Sequence, residues 1–143
     1  MKSIIKTAAF LFLLATTWSC NEQHMMRTVN DAQKLQTNKQ LFIGKPLKKL
    51  LKEIKPEIKM VWVRESWAEA IGVIIFKFVD REGYKKYNKE GKVPLGINVM
   101  IKEKLEWDKS DKPLADREKW TKEDAKKYGD LTIVDIRVYA ENF

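Results

Sequence analysis

Apolar residues recur at helical intervals from Thr28 to about Pro56, alternate with polar ones from Ile58 to Trp107, and change spacing again before the C-terminus. In TVNDAQKLQTNKQLF, Val29, Ala32 and Leu35 stand three apart with polar residues between them, which predicts a first helix. Gly44 interrupts that pattern. Pro46 then occupies a position that a first helical turn accepts, and Pro56 sets the limit of a second helical segment. At ~100° per residue, Leu50, Leu51 and Ile54 fall within about 60° of Leu47, while Lys45, Lys48, Lys49 and Lys52 lie about 100 to 200° away. A second helix with one apolar stripe and one lysine stripe is expected.

Beyond Pro56, IKMVWVRE and AIGVIIFKFVD are rich in β-branched and aromatic residues and read as an antiparallel pair joined by a turn at SWAEA. The second is apolar at nearly every position from Ile71 to Phe76, the pattern of a central strand covered on both faces. In PLGINVMIKEKLEW, Leu95, Ile97, Val99, Ile101, Leu105 and Trp107 are expected inward, with Glu103 the lapse. Gly83 and Gly91 bracket YKKYNKE, read as the loop between these strands. DKSDKPLADREKW reads as a surface connection. Thr121 followed by Asp124, with Lys126, Lys127 and Gly129 at the far end, predicts a compact helix. In LTIVDIRVYA, Val134, Ile136, Val138 and Ala140 are expected inward, and Trp62, Trp107 and Trp120 against the core. The order α-α-β-β-β-α-β is an α+β domain: a four-stranded antiparallel sheet with two N-terminal helices, one short helix before the last strand, and the helices on one face.

The first twenty residues obey another logic. Lys2 and Lys6 precede the apolar run TAAFLFLLAT, the basic and hydrophobic regions of a secretory signal. About ten helical residues cover only half of a ~30 Å hydrocarbon core, so the run is too short to span a membrane. TTWSC then resembles the processing site of bacterial lipoproteins, with Ser19 before Cys20 as in the family and Thr17 and Trp18 departing from its usual residues. The resemblance implies removal of residues 1–19 and palmitate-type acylation at Cys20, and so a membrane anchor. NEQH carries no aspartate in the retention position, which implies the outer membrane, on either its periplasmic or its surface side. Residues 20–27 are expected to be a lipidated tether and residues 28–143 a single domain. Cys20 is the one cysteine of the chain, so no intramolecular disulfide can form. The helix-then-sheet order is similar to that of small envelope lipoproteins that assist outer-membrane assembly.

Charge narrows the partners. The chain has 28 Lys and Arg against 20 Asp and Glu, a net charge of +8. In an envelope this favours phospholipid headgroups, lipopolysaccharide phosphates and acidic glycans as neighbours, and disfavours nucleic acid. The one histidine, His24, lies in the expected tether, which leaves Ser-His-Asp and Cys-His catalysis without a base and zinc without enough ligands. No metal or cofactor is expected. Carboxylate chemistry stays open at Glu65, Glu69, Asp80, Glu82, Glu103 and Asp135, with Glu103 singled out by its apolar-face position. Two basic patches are candidates for binding: Lys45, Lys48, Lys49 and Lys52, and the loop residues Tyr84, Lys85, Lys86 and Tyr87, with Trp67 as an exposed anchor. The expected function is that of a non-catalytic, lipid-anchored envelope protein that binds another envelope protein. Binding of an anionic glycan or lipid, or a carboxylate-dependent hydrolysis, are the alternatives.

Overall fold

The computed structural model describes residues 24–65 and 72–140. Four strands, β1 (Met60–Glu65), β2 (Gly72–Lys77), β3 (Gly96–Ile101) and β4 (Ile133–Tyr139), form one antiparallel sheet in the order β1-β2-β3-β4. Registered residues share a face because side chains alternate along a strand. The row Val61, Phe76, Ile97, Val138 and the row Val63, Ile74, Val99, Ile136 line one side. That side is the main core. It is covered by Ala32 and Leu35 from α1 (Ala32–Thr37), by Leu47 and Leu50 from α2 (Leu47–Leu51), and by Leu105, Tyr128, Trp107 and Trp120.

The second helix is shorter than its pattern predicts. It ends at Leu51, and Ile54 instead forms a bridge with Met26. The capped helix before β4 forms as read: in α5 (Lys122–Tyr128) the Thr121 hydroxyl accepts from the Asp124 amide, and the Asp124 carboxylate accepts from the Thr121 amide.

Several expectations are corrected. YKKYNKE is helical: α3 (Arg81–Lys89) starts where Asp80 accepts from the Gly83 amide at 2.8 Å and stops before Gly91, whose φ of 69° lies in the left-handed region that glycine takes without strain. It packs on the sheet face opposite the main core, where Tyr84 meets Trp62 edge-on at 4.8 Å. The helices therefore do not all lie on one face, and Trp62 belongs to this second side. The connection before α5 also holds a single turn, α4 (Leu114–Arg117).

On β4 the register slips between Met100 and Ile101, so Ile101 pairs with Ile133 and Val134 is the extra residue. Ile133 is buried in its place, while Val134 is exposed. Finally, residues 24–27 are not a loose tether. Met26 is fully buried, its amide donates to the Glu53 carbonyl and its own carbonyl accepts from the Lys55 amide. A fully buried methionine offsets the ordering of that segment by about 2 kcal/mol, so the folded part begins before residue 28.

Both outer strands have a protected amide. On β4 the Val138 amide donates to the Gln36 side chain of α1 at 2.6 Å, and on β1 the Val61 amide donates to the Glu118 carbonyl at 2.6 Å.

Candidate functional site

The two basic stretches end up on opposite sides of the sheet. Lys45, Lys48, Lys49 and Lys52 are exposed on and beside α2, over the main core. Lys48 pairs with Asp130 at 2.7 Å, in the loop after α5. Lys45, Lys49 and Lys52 have no carboxylate partner among the described residues. Tyr84, Lys85, Lys86 and Tyr87 lie on α3, over the other face. Lys85 approaches Glu82 at 3.7 Å, and Tyr87 is 38% exposed. Cys20, Trp67 and Glu69 lie outside the described residues, as does the side chain of Glu65.

His24 is held rather than loose: its Nδ1 lies 2.7 Å from the Lys52 carbonyl oxygen. Together with the Met26 bonds, this stitches residues 24–26 to residues 52–55 at the end of α2. A cleft of about 500 Å³ opens beside this seam, lined by His24, Met25, Arg27, Asp31, Lys34 and Glu53. Its acids are engaged. Glu53 accepts from the Met25 amide, and Asp31 is pulled down to about 2, first by the Lys34 ammonium and then by the Thr28 amide.

Three of the other carboxylate candidates, Glu103, Asp80 and Asp135, are held in structural contacts. Glu103 sits just past β3 and grips the start of β4, accepting from the Thr132 amide at 2.7 Å and from the Thr132 hydroxyl at 2.6 Å. Desolvation pushes its pKa up, but the hydrogen bonds from Thr132 outweigh it and the net shift is down, away from the raised value that a general acid needs. Asp80 caps α3, and Asp135 is shared by Lys39 at 2.7 Å and Arg137 at 3.1 Å.

Two lysines that the hydrophobic pattern does not reveal are the most unusual groups in the fold. Lys109 is inserted between the main core and α5, where its Nζ donates to Asp124 Oδ2 and to the Lys119 carbonyl, both at 2.7 Å, and lies 4.2 Å from the Trp107 ring centroid. Lys77, on the α3 side, is 6% exposed. Its Nζ lies 5.5 Å from the Trp62 ring and 5.8 Å from the Tyr84 ring, and it has no carboxylate partner among the described residues. A Cβ at Gly96, its cross-strand neighbour, would stand 2.7 Å from that Nζ, so the missing side chain is what lets the lysine lie across the sheet. Every fully buried side-chain nitrogen and oxygen among the described residues is hydrogen-bonded, so the unbonded Lys77 tip must touch water.

Desolvation lowers the Lys77 pKa below its ordinary 10.5, and the Arg64 charge adds to the shift. A lysine with a depressed folded-state pKa binds fewer protons folded than unfolded between the two values, so stability rises with pH through that window. Below the folded value the full cost of burying the cation is present. Lys77→Met is therefore expected to stabilise the domain at neutral pH by on the order of 1 kcal/mol and to remove the alkaline rise. Urea unfolding of both proteins across the alkaline range checks this; an unchanged slope would show that Lys77 is not charged and buried.

The α3 side thus carries an aromatic surface built by Trp62, Tyr84 and Tyr87 over the buried Lys77, with Lys85 and Lys86 exposed beside it and Tyr139 of β4 47% exposed on the same face of the sheet. These features define an α+β domain with helices on both sides of its sheet. Compared with known proteins, the chain matches no family model, no curated protein and no solved structure.

Proposed function

We propose that the chain is a non-catalytic, lipid-anchored protein of the bacterial envelope, held at the outer membrane through Cys20, which binds another envelope protein with its α3 side. The observation that carries this is the placement of α3. It lies on the sheet face opposite the layer in which Met26 is seated, so an anchor attached at the N-terminal segment leaves that surface free. Exposed Tyr87 and Tyr139, on the same side as the half-buried Trp62 and Tyr84, match the aromatic enrichment of protein interfaces. The charge of Lys85 and Lys86 steers an acidic partner without needing to carry the affinity.

The test places a photo-crosslinking side chain at Tyr87 or at Lys49 in intact cells. Position 87 is expected to capture one envelope protein, retained in high salt, and position 49 is not. Capture that disappears with salt would favour the alternative of a purely anionic glycan or lipid ligand. In the same cells, Cys20→Ala is expected to abolish incorporation of labelled palmitate, and persistence of the label would overturn the anchor.

A further inference from the structure

We infer that the surface around the root of the N-terminal segment, formed by Arg27, Lys49, Lys52 and Lys55, rests on an anionic phospholipid bilayer; this builds on the lipid anchor proposed at Cys20. Three observations converge on that occupant. The first is where the chain emerges. His24 is fixed against the Lys52 carbonyl and Met26 against Glu53 and Lys55, so the described chain leaves the domain beside these lysines.

The second is reach. His24 is the fourth residue after Cys20, and even a fully extended stretch of that length covers roughly 14 Å at most. A lipid at Cys20 therefore holds His24, and the lysines around it, close to the headgroup layer whatever path the linking residues take.

The third is charge without internal compensation. Between Lys45 and Lys59 there are six lysines and two glutamates. One of those glutamates, Glu53, accepts from the Met25 amide. Lys49, Lys52 and Lys55 are exposed and have no ion pair among the described residues. Lys49 and Lys52 are neighbours at a spacing of three. Cations of this kind are left for an external counter-charge, and each basic residue near an anionic bilayer strengthens binding about five-fold. The tether supplies the second signal, so modest electrostatic attraction is enough to set the orientation. The domain then lies with the α2 side toward the bilayer and α3 away from it.

The experiment uses the full chain, mixed with vesicles of phosphatidylcholine alone or of phosphatidylcholine with phosphatidylglycerol, and reads lysine acetylation by peptide mass. On the anionic vesicles, Lys49, Lys52 and Lys55 are expected to be acetylated at least about five-fold more slowly than on the neutral ones, with added salt reversing the effect. Lys85, Lys86 and Lys89 on α3 are expected to be unchanged. Equal protection of both groups, protection of the α3 lysines instead, or protection of neither overturns the inference.

A second measurement compares the full Cys20→Ala chain with and without Lys49→Gln, Lys52→Gln and Lys55→Gln. The triple change is expected to weaken binding to the anionic vesicles about a hundred-fold, and the same changes at Lys85, Lys86 and Lys89 by far less. The N-terminal peptide in the acetylation digest reports the lipid separately. Protection on a chain that lacks lipid keeps this surface and removes the anchor, whereas a lipidated chain without protection does the reverse.

Discussion

Asp124→Ala is expected to destabilise the domain by about 3–5 kcal/mol, because it strands the Lys109 ammonium in the interior with a carbonyl and an aromatic ring as its remaining company. The two side chains are 5% and 8% exposed, so neither charge is shielded by water. The loss compounds that of a helix cap, since the same carboxylate accepts from the Thr121 amide and hydroxyl, both at 2.9 Å. Lys109→Met should cost less. It leaves Asp124 with both Thr121 donors and keeps an unbranched side chain beside Trp107.

In the double variant the penalty for an unpaired ammonium is absent, so the two costs do not add, and the coupling from a double-mutant cycle is expected to reach about 2–3 kcal/mol. Additive costs would mean that the ion pair contributes nothing specific. Acid gives an independent check. Burial raises the Asp124 pKa, but the hydrogen bonds from Lys109 and Thr121 outweigh it, and the folded value lies below the ordinary 3.8. The resulting stabilisation is complete above the unfolded value and is lost as pH falls through the folded one. Asp124→Ala should therefore flatten the acid limb of the stability curve.

Phe76→Ala is expected to cost about 3–5 kcal/mol by opening a cavity where the two central strands meet the overlying loops. Phe76 is fully buried, pairs across the sheet with Val61 and Ile97, and meets the Trp120 ring edge-on at 5.0 Å. Trp120 itself stacks parallel to Trp107 at 6.3 Å, so the side chain supports a chain of rings extending to Tyr128. Thermal unfolding followed by tryptophan fluorescence should show a fall in Tm of roughly 10–20 °C. Phe76→Leu should recover most of it. A shift of only a few degrees for the alanine variant would mean that the rings collapse into the space, and that the sheet does not depend on this contact.

The parts of the fold that the sequence announces are those governed by short-range rules. Alternation from Leu95 to Ile101 gives β3, the unbroken run ending at Phe76 gives a central strand, and Thr121 with Asp124 gives the start of α5. Helix α3 escapes because it has no apolar stripe: none of its residues is buried, and Tyr84 is its main contact with the sheet. Its end signals are nonetheless present, Asp80 as a cap and Gly91 as a stop, and they outweigh the low apolar content. The Val134 bulge leaves no local trace, since both registers present apolar residues. Met26 fails the same test from the other direction, as one buried residue in a polar stretch has no period to display.

The candidate site is legible only in part. The lysines of both patches are recognisable as charged surface, but which side of the sheet each occupies depends on the path of the chain through β1 and β2. Lys77 and Lys109 are lysines among 28 basic residues, and nothing in their neighbours marks them as interior. Their burial depends on Gly96 and Asp124, each at least fifteen residues away in sequence, meeting them in three dimensions.

The Gln36 side chain that takes the Val138 amide, and the Glu118 carbonyl that takes the Val61 amide, have a colloidal consequence. A bare strand margin invites copies to join edge to edge. With a foreign acceptor already seated at each margin, such ribbon-like growth must first break a bond inside the molecule, which favours separate copies even when they are crowded together.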